Sequence, residues 1–192
     1  MATTPTKTWT EKELLALPQD GCKYEVVNGE LYWMPAGNLE HSAMCANVGS
    51  LIHQFCLGRG LGVVVDGQTG FYMKNGDLLS PDVSYINVQR WQSLPIEKRR
   101  KFFRGSPDLA VEVTTPSEPV HHIYRKVKAY LENDTVIVWV VDLFTRSVTI
   151  HTRTSPPKEV KGWENVTGEP VLPGFSFVVA SDVFEEHDAL WQ

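Results

Sequence analysis

The chain is poor in cysteine, and what it has is not arranged to clasp anything. Cys22, Cys45 and Cys56 are odd in number and never spaced as CxxC. That excludes a disulfide scaffold and a zinc knuckle, argues for the cytoplasm, and leaves each thiol as an expected small core residue. Long apolar runs are missing too: none approaches the roughly 18–20 residues a membrane span needs. The opening MATTPTKTWTEKE lacks the apolar segment of a secretory signal, so no membrane partner is expected. Neither GxGxxG nor GxxxxGK[ST] occurs, which removes the usual dinucleotide and nucleotide cradles. Positive charge is also short. A net charge of −5 is wrong for a protein that merely coats phosphates. It is compatible with a catalytic site that concentrates carboxylates around a cation.

What remains is an ordinary globular composition, 42% hydrophobic over 192 residues, which suits one domain spanning 1–192. Thr10-Glu11-Lys12-Glu13 has capping-box spacing and predicts a short helix that Pro18 stops. YEVVNGELYWM predicts a hairpin about Asn28-Gly29. HSAMCANVGSLIHQFC carries its apolar residues at helical spacing, with Gly58 and Gly60 as a stop signal. GVVVDGQTGFYM predicts two strands around Asp66-Gly67, Lys74 to Leu79 a polar turn, and PDVSYINV a further strand. Gln89 to Pro107 reads as irregular or partly helical. A helix from about Val120 to Glu132 follows DLAVEVTTP, with Val120, Ile123, Val127 and Leu131 as its apolar stripe. The strands VIVWVVDL and SVTIHTR come next, then a loop-rich tail with VLPGFSFVV and a final short helix. This order predicts an α/β domain with one mixed sheet and flanking helices, without regular βαβα alternation.

The stretch DLAVEVTTP poses the chemical question. Leu109, Val111 and Val113 alternate onto one face of a strand and leave Glu112 on the other. A carboxylate there is either at an exposed edge or paired, protonated or metal-bound. Pro81-Asp82 opens a neighbouring strand, where Asp82 is either a turn residue bonded to nearby backbone or a second acid at the mouth of the sheet. Asp82 and Glu112 on adjacent strands would converge on one hard cation, Mg²⁺ or Mn²⁺, with the Val113 backbone carbonyl as a third ligand. On the next helix His122, Lys126 and Tyr130 recur every four residues as a row beside the apolar stripe. That row is either solvated or aimed at the acids, where Lys126 would orient water and stabilise phosphate charge. His122 reads as a bystander. Two acids and a lysine around a divalent cation suit phosphodiester hydrolysis.

At these residues the chain resembles the Uma2 family, also called DUF820. The resemblance rests on PDVSYI, DLAVEVTTPS, Lys126, Tyr130 and Trp139-Val140-Val141-Asp142, together with YEVVNGELYWMP and His41, and covers roughly Lys23 to His151. It implies a restriction-endonuclease-like mixed β-sheet and an endonuclease of the PD-(D/E)XK superfamily that cleaves DNA. Asp82 matches the acid of the PD motif, and Glu112 the acid of the (D/E)xK motif. Thr114 stands where that motif has lysine, and Lys126 matches a lysine that in this family sits on the next helix, with Lys128 as its rival. Glu25 matches a family acid near the metal or its waters. His41 matches a family histidine, with a capping or core role open beside a site role. Departures include Thr115-Pro116 for Ser-Pro, His122 for an acid, Asp134-Thr135 for Gly-Val, and Ile137 for a glutamate.

Two further features bear on partners. Glu97 to Arg104, EKRRKFFR, holds five basic residues and two phenylalanines, suited to a DNA backbone and its bases or to a solvated loop anchored by Phe102 or Phe103. Trp33, Trp139, Trp163 and Trp191 offer apolar surface for a homodimer, which would supply two copies of a site to a duplex. The rivals to a nuclease are a non-catalytic DNA- or protein-binding module on the same fold, and a two-carboxylate glycosidase-like hydrolase that needs neither Lys126 nor metal.

Overall fold

The computed structural model describes residues 9–18, 21–34, 37–115 and 119–185. Helix α1 (Glu11–Leu15) starts at the anticipated capping box: Thr10 accepts the Glu13 N–H and Glu13 reaches back to the Thr10 N–H. Strands β1 (Lys23–Val27) and β2 (Glu30–Met34) form a hairpin. Its turn residues Asn28 and Gly29 both take positive φ, 53° and 76°, as a two-residue hairpin turn requires. Helix α2 (Leu39–Cys56) is capped by the Asn38 side chain, which accepts the His41 N–H. Then come β3 (Gly62–Asp66), β4 (Phe71–Tyr72), β5 (Leu78–Leu79), β6 (Val83–Asn87), α3 (Val88–Ser93), β7 (Phe103–Arg104) and β8 (Leu109–Thr114). Helix α4 (Val120–Glu132) precedes β9 (Ile137–Asp142), β10 (Ser147–Thr152), β11 (Lys158–Lys161), β12 (Asn165–Thr167), β13 (Ser176–Val178) and a π-helical segment, Val179–Glu185.

The strands divide between two sheets and a ribbon, where the sequence pattern predicts one mixed sheet. The larger sheet runs β11-β10-β9-β8-β6-β3, the smaller β2-β1-β5-β4-β7, and β12-β13 stand apart. The division falls at Gly67–Gly70. β3 pairs with β6 in the large sheet, whereas β4, after only four intervening residues, pairs with β5 and β7 in the small one. Strands of two residues carry too little periodicity to read. Leu78 and Leu79 were hidden behind Lys74 to Asp77 and predicted as turn, yet both are buried. The tail predicted as loop contributes three strands, and Val160, Val166, Phe175, Phe177, Val179 and Val183 enter the main core. Trp191 and Pro116 lie outside the described residues.

The large sheet is packed on both faces. Met44, Val48 and Ile52 of α2 meet Val83, Tyr85, Val111, Val113 and Trp139 on one side. On the other, Ile123, Val127 and Tyr130 of α4 meet Ala110, Val138 and Val140, together with Phe71, Met73 and Leu79 of the small sheet. The small sheet has its own cover, Leu14 of α1 on Val26 and Leu78. Helix α4 is the crossover between the parallel strands β8 and β9. The predicted stripe of α4 needs one correction: Val120, in the first turn, is exposed, because the helix enters from beyond the end of β8 before it settles onto the sheet. The thiols also depart from expectation, since Cys56 is buried whereas Cys22 and Cys45 are half-buried. Among the described residues no helix is long and apolar enough to cross a membrane.

Trp139 is completely buried, with ring centroids 6.1 Å from Phe175 and 5.5 Å from Phe177. It belongs to the core and is not available to a dimer interface. Trp139→Ala should cost about 3–5 kcal/mol of stability, measured by urea denaturation, because the cavity it leaves is walled by two layers that cannot collapse together.

Candidate active site

Glu112 lies in a central strand, between β6 and β9, and is 2% exposed. An edge position in water is therefore excluded. Its carboxylate is fully engaged from α4: Lys126 Nζ donates to Oε2 at 2.5 Å and Tyr130 OH to Oε1 at 2.6 Å. The four-residue spacing of Lys126 and Tyr130 stacks them on one helical face, which the crossover turns toward the sheet. Lys126 also lies 3.2 Å from Oε2 of Glu25, a fully buried residue of β1 whose Oε1 accepts the Ser80 N–H. The sequence-predicted row is thus split. Lys126 and Tyr130 face the acids, while His122 packs on the Tyr32 ring, centroids 4.8 Å apart. Lys128 points outward, 71% exposed, toward Glu132.

Asp82 sits one residue before β6 and takes the place of the ladder group that a longer strand would supply. Its Oδ2 accepts the Val113 N–H at 2.9 Å and lies 3.2 Å from His41 Nε2, and its Oδ1 is 3.3 Å from Lys23 Nζ. The antiparallel register Val83↔Val111 and Ser84↔Ala110, continued by one residue, sets Asp82 across from Glu112. Within a strand the N–H and C=O of one residue point to the same neighbour. The Val113 carbonyl therefore also faces the gap beyond β6 that Asp82 occupies. His41 is fixed by tight packing: a Cβ at Gly37 would lie 2.5 Å from its Nδ1, so only glycine leaves room for the ring.

The charges are unevenly matched. Three carboxylates, Asp82, Glu112 and Glu25, face the two ammonium groups of Lys23 and Lys126. Burial alone would raise the Asp82 carboxyl, but the His41 hydrogen bond and the charges of Lys23 and Lys126 hold it well below the usual carboxylate range. Burial pushes Glu112 up; Lys126 opposes that push, while Asp82 and Glu25 add to it. Burial works to lower Lys126, yet the charges of Glu112, Glu25 and Asp82 outweigh it and keep the ammonium protonated. His41 is raised chiefly by its bond to Asp82, against the effect of burial.

Asp82, Lys23, His41, Cys45 and Ser80 line a cleft of about 840 Å³. Glu112 and Lys126 lie behind its wall. Phe102 lines both this cleft and a second one of about 490 Å³ bordered by Lys98, Arg99, Arg100 and Lys101. Two donor sets here are able to hold a cation. Asp82, Glu112 and the Val113 carbonyl are hard oxygen donors, suited to Mg²⁺ or Mn²⁺. The buried Oε2 of Glu25 has the Lys126 ammonium, 3.2 Å away, as its counter-charge. The second set is His41, Cys45 and Asp82, whose ligand atoms all lie within 4.8 Å of one another. The sequence reading missed Lys23 and Cys45. Each had a signal, Lys23 two residues from Glu25 on a strand and Cys45 four from His41 on a helix.

The parallel β8–α4–β9 unit thus sets Glu112 within a central strand, Asp82 just ahead of the neighbouring strand and Lys126 on the crossover helix. The sequence pattern of the Uma2 family, described as "Putative restriction endonuclease", matches residues 11–180, and the chain belongs to that family. Its fold is shared by a solved structure from Anabaena variabilis ATCC 29413, described as "a putative nuclease belonging to DUF820". The two agree with a TM-score of 0.79 at 18% identity, over 90% of this chain and 96% of that one. No curated protein matches the chain.

The ion network sets an order of stabilities. Lys126→Ala leaves Glu112 and Glu25 buried without their shared counter-charge and should cost about 3–5 kcal/mol. Glu112→Gln leaves Lys126 paired with Glu25 and should cost clearly less. Chemical denaturation of both variants measures the order.

Proposed function

We propose that this protein is a Mg²⁺- or Mn²⁺-dependent endonuclease that hydrolyses phosphodiester bonds in DNA. The observation that carries this reading is the register that sets Asp82 across from Glu112 on adjacent strands, with Lys126 held on Glu112. Asp82, Glu112 and the Val113 carbonyl would hold the cation. When bound, it supplies Lewis-acid polarisation of the scissile phosphate and lowers the pKa of a water nucleophile.

The chain's own residues do the rest. Against the effect of burial, the His41 hydrogen bond and the Lys23 charge favour the ionised form of Asp82. Lys126, kept protonated by its carboxylates, acts as a fixed positive group that orients water and stabilises charge building on the phosphate. Tyr130 fixes the Glu112 carboxylate so that it need not reorganise. Glu25 holds Lys126 through a second ion pair. Lys23 lines the cleft, where it would meet a phosphate directly. His41 positions the Asp82 carboxylate through Nε2.

The acidic net charge is offset locally. Lys98, Arg99, Arg100, Lys101 and Arg104 are all exposed, whereas Phe103 is buried and anchors the segment to the small sheet. Through Phe102 this basic surface adjoins the Asp82 cleft, which suits a nucleic-acid backbone led past the site. An intracellular setting fits such a substrate and the free thiols.

Supercoiled plasmid with Mg²⁺ or Mn²⁺ tests the reading. Cleavage is expected, abolished by a chelator and reduced about 100-fold or more in Asp82→Asn, Glu112→Gln and Lys126→Ala. Binding without cleavage by folded wild-type protein in both metals would instead favour a non-catalytic module. We further propose a homodimer, since Trp33 on the edge strand β2 and Trp163 are 66% and 72% exposed. Sedimentation at micromolar concentration should return twice the chain mass; a monomer rules the dimer out.

A further inference from the structure

We propose that His41, Cys45 and Asp82 form a second cation site, selective for a borderline, thiophilic ion of the zinc class, on the wall of the same cleft. His41 and Cys45 are four residues apart on α2 and so share one helical face, the spacing by which helices commonly present paired metal ligands. Asp82 meets them from the sheet.

The nitrogen–oxygen distance is that of a tetrahedral centre, and the nitrogen–sulfur distance is longer. Bond lengths of about 2.0 Å to nitrogen or oxygen and about 2.3 Å to sulfur put N and O donors about 3.3 Å apart, and N and S donors about 3.5 Å apart. Here His41 Nε2 lies 3.2 Å from Asp82 Oδ2, and Cys45 Sγ lies 3.9 Å from Nε2 and 3.6 Å from Nδ1. Gly37 closes against the Nδ1 edge of the ring, which leaves Nε2 as the nitrogen directed at Asp82. The sulfur lies nearer Nδ1 than Nε2 and so stands beside the ring; sharing one ion with Nε2 requires Cys45 to change rotamer. All three residues line the cleft, so a fourth coordination position opens to solvent, as in zinc sites that bind a water or an exogenous ligand. The Lys23 ammonium, 3.3 Å from Asp82 Oδ1, opposes cation binding, and an ion here would have to displace it toward the cleft that its partly exposed side chain lines.

Selectivity follows from donor type. A thiolate contributes little to Mg²⁺ and much to Zn²⁺ or Co²⁺. Because Asp82 belongs to both donor sets, occupancy of this site removes a ligand from the hard one, and a thiophilic ion acts as an inhibitor of the hydrolysis proposed above. That consequence rests on the nuclease reading; the cation site itself does not.

Titration of the reduced protein with Co²⁺ tests the site without any activity assay. Wild type should develop the intense near-ultraviolet absorption of a cobalt–thiolate bond, and Zn²⁺ should bleach it. Cys22→Ala and Cys56→Ala should retain the band, and folded Cys45→Ala should lack it. Zinc affinity in Cys45→Ala should fall by more than about 100-fold, since even a partner that only orients a ligand is worth about 10–100-fold. Glu112→Gln should keep the cobalt band, because Glu112 lies outside this donor set. No band in wild type, a band that survives Cys45→Ala, or its loss in Glu112→Gln would overturn the assignment. Failure of the plasmid assay with Mg²⁺ and Mn²⁺ would sink the nuclease reading and leave the cobalt result standing.

Discussion

The structure depends on one electrostatic constraint, a carboxylate in the middle of a doubly covered sheet. Isolating Glu112 there would cost several kcal/mol. Lys126 and Tyr130 meet that cost from a single helix, at 2.5 and 2.6 Å. Helix α4 must therefore lie on the sheet at one rotation and one height, and the apolar contacts of Ile123 and Val127 follow from that placement. The ammonium is itself buried, which brings in Glu25 from the small sheet. One ammonium, paired with two carboxylates, thus ties together the crossover helix, the main sheet and the hairpin β1-β2.

The site lies at the seam this arrangement creates. Its members come from different elements: Asp82 from the end of β6, Glu112 and Val113 from β8, Lys126 and Tyr130 from α4, Glu25 and Lys23 from β1, and His41 and Cys45 from α2. The buried members are fixed by hydrogen bonds and packing, and those on the cleft wall retain some freedom. That division is useful for chemistry. On the nuclease reading proposed above, groups that must not reorganise as charge develops are those held behind the wall, and groups that meet a ligand are those on it.

Much of this was legible in the sequence because period and spacing carry it. Alternation put Glu112 opposite Leu109, Val111 and Val113, and a spacing of four put Lys126 and Tyr130 on one helical face. Asn28-Gly29 announced the hairpin. What escaped has physical reasons. Strands of two residues, such as Phe71–Tyr72 and Leu78–Leu79, are too short for alternation to show, so the second sheet was invisible. Val120 satisfied the helical period but not the packing, because a helix end can precede the surface it later covers. Cys45 read as a core residue, since burial of a small side chain and proximity to a histidine one turn earlier look alike in one dimension. Whether Glu112 was matched by a metal or by a lysine could not be read from the strand, because both partners answer the same energetic need.

The place of Asp82 in the strand ladder has a consequence for fidelity. A carboxylate there accepts the Val113 N–H only if β6 stops where it does and β8 stands in one register. A slip of one residue would turn Glu112 to the opposite face, away from Lys126, and leave both charges stranded in hydrocarbon. Mispaired chains thus carry an electrical penalty that a purely apolar sheet would lack. The polar cluster acts as a checksum on topology: it is assembled correctly only when the strands around it are.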